Sequence, residues 1–414
     1  MPDGPTAIRD FLAAHRDDAM CLVADLVKVP SDNPPGDCDR HAEAAARLLE
    51  GLGFAVERLP VPTALVAAAG MKRATNLIVR RSFGEGGPVV ALNAHGDVVP
   101  PGDGWSRDPY GAEIVDGWMY GRGAAVSKSD FATYAYALKA LEAAAAAGAP
   151  LNGTVELHLT YDEEAGGEIG PRWLIADGTT QPDLAIAAGF SYAVVTAHNG
   201  CLHLEVQVTG RSAHAARPQT GIDALEAATG ILAALYASRP SLAERTSEVA
   251  GIGSPQLTIG LIEGGINTNV VPDRVAFRLD RRLIPEESPA AVEAELRDMI
   301  EDAARPYPEA RVTVERILLA EPLTPLPGSE RLAELLCRNA SRVMGEIVAT
   351  AGVPLYTDAR HYAAAGIPIV LYGAGPHTIE EANAHRADER LPLDDLHKAT
   401  EVVALTLHDL LTDG

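Results

Sequence analysis

The feature of this 414-residue sequence that most constrains its fold is a change of rhythm part-way along the chain. Over roughly the first two hundred residues, short apolar runs alternate with longer stretches of helical spacing. That is the pattern of a largely parallel sheet covered by helices. Strands are predicted at 54–61, 76–79, 89–94, 154–160 and 184–188, and helices at 39–52 and at the alanine-rich 130–147, alanine being the best helix former. From Cys201 the chain switches to the alternating segments CLHLEVQVTG, QLTIGLIEGG, RVAFRLDRR and RVTVERI, with helical stretches at 222–238 and 289–304. Strands and helices in that mixture make a small α+β unit with a sheet of four strands. Beyond about residue 320 the helix and strand alternation resumes, with a buried strand at 367–372 and a closing helix at 393–411. These elements predict an α/β domain, a mostly parallel sheet with helices on both faces, formed by residues 1–200 and 318–414, with an α+β domain inserted at 201–317. A chain of this length exceeds one ordinary core, in keeping with two domains.

The balance of 34 basic against 57 acidic side chains gives a net charge of -23, which repels phosphate backbones and anionic lipid. Nucleic acid and membrane are therefore not expected partners. No apolar run approaches the roughly 18 residues that cross a bilayer, and the opening MPDGPTAIRD has no basic stretch followed by an apolar block. A cytoplasmic location is expected. Cys21, Cys38, Cys201 and Cys337 are scattered without the close pairing of a zinc knuckle or redox motif, and are expected to be thiols rather than disulfides.

Ligands of open α/β sheets collect at the carboxyl ends of the strands, and three such ends here are polar. The run VVALNAHGD ends in His95 and Asp97, ELHLTYDEEAGG in Asp162, Glu163 and Glu164, and the late ANAHRADERL supplies His385. Singly, each reads as a surface or capping residue. Together they suit a metal-binding imidazole oriented by a nearby carboxylate, with adjacent glutamates dividing metal binding from proton transfer.

At these residues the sequence resembles the co-catalytic zinc peptidases and amidohydrolases that include aminoacylase, carboxypeptidase G, acetylornithine deacetylase and succinyl-diaminopimelate desuccinylase. The resemblance runs through SDNPPGD, NAHGDVVPPGDGW, DGWMYGRGAA, YDEEAGG, GRSAHAARPQTGIDA, GGINTNVVPD, LDRRLIPEE, YTDARHYAAAGIPIVLYGAG and AHRADERLPLDDL. It implies that the inserted domain serves as a lid and dimerisation domain, and that the protein is a homodimer acting on a small amino-acid-like molecule. Position by position, His95 resembles a ligand of the first metal, Asp97 its supporting acid and Glu163 the general base for water. Glu164 and His385 resemble ligands of the second metal. His214 resembles the residue that stabilises the oxyanion in a neighbouring subunit's site, with Asn269 its assistant. Arg360 and Arg282 resemble the arginines that grip a substrate carboxylate, a task suited to a bidentate fork. His214 also reads as a loop cap and Arg282 as a surface ion pair.

Two carboxylates of the family plan are missing. Where the family continues GRGA with an aspartate that bridges the metals, this chain has Val126. Where it places an acid after the strand represented by PDLAIAAGF, this chain has Ala188, Gly189 and Phe190. Two divalent cations about 3.5 Å apart repel by roughly 20 kcal/mol even at an effective dielectric of about 20, so without a shared anion the pair is not expected. Asp130 lies four residues after Val126 and could replace the ligand if one helix carried both, but one turn is a displacement of about 5 Å. It reads more readily as a first-turn acid of the helix. What remains is one zinc (or manganese or cobalt) per chain held by His95, Glu164 and His385, or no metal.

The leading expectation is hydrolysis of the amide bond of an N-acyl amino acid or small peptide-like molecule. The alternatives are a metal-independent acid–base enzyme (isomerase, lyase or acyl transfer) built on Glu163, Asp97 and His95, and a non-catalytic relative that binds a carboxylate ligand through Arg360.

Overall fold

The computed structural model of the chain describes residues 3–412. Its strands are β1 (Val56–Pro60), β2 (Thr75–Phe83), β3 (Val89–His95), β4 (Glu113–Val115), β5 (Trp118–Tyr120), β6 (Gly153–Thr160), β7 (Leu184–Ala187), β8 (Val194–His198), β9 (Gly200–Thr209), β10 (Gln256–Gly264), β11 (Arg274–Leu283), β12 (Arg311–Ala320), β13 (Thr350–Val353), β14 (Ile369–Leu371) and β15 (Arg390–Pro392). The chain divides into two compact units. The first comprises the residues up to Thr196, Pro325–Ala351 and those from Thr357, and the second comprises Ala197–Thr324 with Gly352–Tyr356.

The first unit is built on a sheet of order β1-β2-β6-β3-β7-β14-β8-β13. Its middle, β6-β3-β7-β14, is parallel, and antiparallel pairs flank it. The central strand β3 reads VVALNAH and is buried from Val90 onward, the near-continuous apolar run of a strand covered on both faces. Helix Lys128–Ala146 packs on this sheet with most of its residues buried, so its alanines are read by helix propensity and close approach rather than by an amphipathic stripe. Register then sets the site. His95 is the partner of Thr160 and Asn93 the partner of Ala187, so β3 and β6 end level and β7 stops two residues short, and the residues that follow them face one rim.

The second unit is an antiparallel sheet of order β10-β11-β9-β12. Leu202, Leu204, Val206 and Val208 alternate along β9 into a core shared with helices Ala224–Ala243 and Pro289–Ala304, the period-2 signal that the sequence carries. Asp223 caps the first of these helices by accepting from the Leu225 and Glu226 amides at 2.8 and 3.1 Å.

Helices Gly4–Ala14 and Arg16–Val27 and the three-stranded sheet β15-β5-β4 were not expected from the sequence. Strands of three residues are too short to show period-2 alternation. None of the four cysteines forms a disulfide, and no helix among the described residues is long and apolar enough to cross a membrane.

Candidate active site

The rim of the first unit is organised around Asp97, which is fully buried. Its carboxylate accepts from the Asn33 side chain at 2.9 Å and from the Glu163 and Glu164 amides at 3.2 Å each. One buried carboxylate thus ties the turn after β6 to the turn after β3. His95 closes β3, and both its backbone groups meet the Ser127 hydroxyl at 3.1 Å. Its Nδ1 lies 2.9 Å from the Asp97 carbonyl and 3.5 Å from the Asp97 carboxylate, which leaves Nε2 as the nitrogen for a ligand. Ligand atoms of His95, Glu163 and Glu164 all lie within 4.8 Å of one another. His385, in the left-handed region at φ 61°, reaches Glu164 at 3.3 Å through Nε2 but stands outside that group.

The electrostatics are those of crowded acids. Burial pushes the Glu163 carboxyl well above the usual range, with His95 opposing and Glu164, Asp358 and Asp97 adding to the rise. Burial likewise carries Asp162 up, reinforced by Asp358 and Asp97. For His95, burial opposes protonation, but the Asp97 hydrogen bond and the charges of Glu163, Asp97 and Glu164 outweigh it and hold the imidazole well above its ordinary value. A site that draws protons onto a buried histidine and glutamate is one that a cation would relieve.

Asp358 belongs to this cluster although sequence reasoning passed over it. It is buried, both its oxygens lack a hydrogen-bond partner, and burial, followed by the opposing effects of His95 and Arg360, leaves its pKa at about 7. Its place just before helix Ala359–Ala364 makes it look like an N-cap, yet its side chain makes no capping bond. The signal was its position two residues before Arg360 in YTDARH. A side chain at Gly167, whose φ is 68°, would collide with the Asp358 carboxylate, so this approach requires glycine. Arg360 is buried and donates to the Thr357 carbonyl at 3.2 Å and to the Gly166 carbonyl, which fixes it beside the same turn.

The loop into helix Lys128–Ala146 keeps its scaffold. Glu389, fully buried, pairs with Arg122 at 2.5 Å and accepts from the amides of Gly123, Ala125 and Val126 at 3.1, 3.1 and 3.2 Å. Val126 is therefore held by its backbone at the rim while its side chain offers no donor atom. After β7, Ala188 is joined to the end of β3 by its amide, 2.8 Å from the Asn93 carbonyl, and it too offers none. Asp130 is buried, accepts from the Ala374 amide at 2.9 Å through one oxygen, has no hydrogen-bond partner on the other, and lies outside the His95, Glu163 and Glu164 group. Among the described residues, His95, Glu163 and Glu164 are the group at this rim whose ligand atoms lie close enough to share a cation.

In the second unit, His214 and Asn269 are exposed and adjacent. His214 bridges to Val270, and the Ala215 amide donates to the Asn269 carbonyl at 3.0 Å. His214 Nδ1 accepts from the Ala216 amide at 3.0 Å, leaving Nε2 outward. Arg282 directs Nε to both oxygens of Asp280 at 3.1 and 3.2 Å.

The sequence profile of Peptidase family M20/M25/M40 matches residues 91–409. The chain is 30% identical to succinyl-diaminopimelate desuccinylase of Gluconacetobacter diazotrophicus, over 95% of this chain and 97% of that protein. It is 28% identical to acetylornithine deacetylase of Edwardsiella ictaluri, over 97% and 98% of the two chains. Among solved structures, the dipeptidase Dug1p of Saccharomyces cerevisiae superposes with a TM-score of 0.78 at 13% identity, covering 100% of both chains. The acid cluster centred on Asp97 at the strand ends and these matches converge on one assignment: the chain belongs to peptidase family M20/M25/M40 and is a hydrolase of that family.

Proposed function

We propose that the protein hydrolyses the amide bond of an N-acyl amino acid, or of a small peptide-like molecule with a free carboxylate, at a centre that holds one divalent cation. The observation that carries this reading is the convergence of His95, Glu163 and Glu164 within 4.8 Å over the buried Asp97, with Val126 and Ala188 at the positions where two further carboxylates would be needed. His95 and Glu164 would hold the cation, with His385 the next imidazole to hand. The chemistry such an ion supplies when bound is polarisation of the scissile carbonyl. Glu163 accepts a proton from the attacking water and returns it to the leaving amine, a role suited to a carboxyl raised by burial. Arg360, fixed beside the Gly166 turn, pairs with the substrate carboxylate. His214 and Asn269 donate to the developing oxyanion from a second copy of the chain. A homodimer is supported by the edge strand β10, which leaves Leu261 and Ile262 60% and 56% exposed, with Ile266 nearby at 78%. We place the protein in the cytoplasm, where thiols persist.

The test is a panel of N-acyl amino acids and dipeptides with product analysis. Release of the free amino acid, abolished by chelator and by Glu163→Gln, is the expected result. Hydrolysis indifferent to both would refute the reading, and turnover without hydrolysis after demetallation would move the assignment to acid–base chemistry on the same carboxylates.

A further inference from the structure

A second set of metal-binding side chains lies in the other unit, on the sheet face turned away from its helices. Cys201 and His203 are two apart on β9 and so project to the same side. Asp280 is the cross-strand partner of His203, and Arg282 that of Cys201. The intervening residues, Leu202 and Leu204, point into the core. Cys201 Sγ lies 3.1 Å from His203 Nε2 and 3.6 Å from Asp280 Oδ1, and His203 Nε2 lies 3.3 Å from Asp280 Oδ2. All three ligand atoms fall within 4.8 Å of one another.

We infer that Cys201, His203 and Asp280 form a metal site of their own, taking a thiolate-seeking divalent cation of the zinc type. A tetrahedral zinc ion with bonds of about 2.3 Å to sulfur and about 2.0–2.1 Å to nitrogen and oxygen has ligand-to-ligand edges of about 3.3–3.6 Å. The Cys201 and His203 contacts, which run to the two different oxygens of Asp280, and the 3.1 Å between Sγ and Nε2 are of that size, and one ligand atom from each residue lies within 4.8 Å of the others. They do not suit a thiol–imidazole–carboxylate relay, in which the sulfur and the carboxylate would address different ring nitrogens. Here both meet Nε2. Cys201 is buried while the side chains of His203 and Asp280 are 34% and 28% exposed, so the sulfur forms the floor and the outer ligands leave a path for the ion and a fourth position for water. On binding, the thiol proton leaves to solvent as the metal–sulfur bond forms, His203 coordinates as neutral imidazole, and Asp280 is already ionised. Arg282 opposes the ion by its charge, but its contact with the Asp280 oxygens also orients the carboxylate as an outer-shell partner does, and a carboxylate has about four lone-pair positions to share.

The pairing of sulfur with nitrogen and oxygen separates this site from the centre in the first unit, whose candidate ligands include no thiol. Cobalt(II) is the probe, added to full-length protein carrying Cys21→Ser so that the exposed Cys21 thiol does not contribute. With Glu164→Gln added to weaken the first unit's centre, the expected result is a thiolate-to-cobalt charge-transfer band in the near ultraviolet that saturates at one equivalent and is bleached by zinc. Cys201→Ser should abolish it. Should that buried substitution impair folding, His203→Ala, at a part-exposed position, weakens cobalt binding at this site by more than about a hundredfold, since loss of a direct ligand exceeds the loss of an outer-shell partner. Absence of the band, or a band that persists in both variants, overturns the inference.

Discussion

Two turns at the same rim of the first unit have fared differently. The turn after β6 keeps Asp162, Glu163 and Glu164, and its backbone is fixed by Asp97. The loop into helix Lys128–Ala146 keeps the Glu389 cradle and the Arg122 pair around Val126, but the side chain that the cradle presents is an alkyl group. Scaffold and ligand are therefore separable. A buried carboxylate bonded to three amides and a guanidinium is costly to disturb, whereas a side chain at the rim can be exchanged without touching any of those bonds. One turn presents three carboxylates and the other an alkyl side chain, each from a backbone held by a buried carboxylate.

The contrast can be broken most sharply at Glu163. Replacing it with glutamine should lower kcat by about 10²–10⁴-fold with little change in KM; steady-state rates on the best N-acyl amino acid decide this, and a loss below about threefold would strip the β6 turn of its role. Next is the kept scaffold. Glu389→Ala leaves Arg122 buried without its partner and should cost about 3–5 kcal/mol in denaturant unfolding, while a near-neutral result would mean that Val126 is positioned by something other than the cradle.

A third test uses the middle of β6. Burial works to raise Glu156, but hydrogen bonds from His158, Thr180 and Arg80 hold it at about 2, below its unfolded value. Its contribution is therefore fully present above about pH 4.5 and lost as pH falls toward 2, amounting to about 3 kcal/mol at most. Glu156→Gln should flatten that acid limb of the stability curve, and an unchanged limb would show that this acid, like Asp358 at the rim, is not satisfied by its partners. The smallest effect is expected at the shared support: Asp97→Asn should weaken metal binding about 10–100-fold, read by competition with a chelating dye, and unaltered affinity would detach Asp97 from His95.

Much of this was legible in the sequence because the signals were local. VVALNAHGD and YDEEAGG each place their polar residues directly after an apolar run, and level strand ends bring His95 and Glu163 together without further information. Val126 and Ala188 stood out as alkyl side chains where acids were expected. Asp358 and Glu389 were hidden for a different reason. Each gains its meaning from partners far along the chain: Glu389 from amides some 265 positions earlier, and Asp358 from burial beside Gly167. An isolated acid before a helix or in a charged tail carries no mark of either. The Cys201, His203 and Asp280 cluster was hidden likewise, since it depends on the antiparallel register of β9 and β11.

On the function proposed above, the first unit holds one cation because Val126 and Ala188 supply no ligand. The direct measurement is the zinc content of His203→Ala protein, in which the second unit's site is disabled, after saturation and removal of loose metal. One zinc per chain, falling to none on adding His95→Ala, is the predicted result; two per chain, or none from the start, would contradict it.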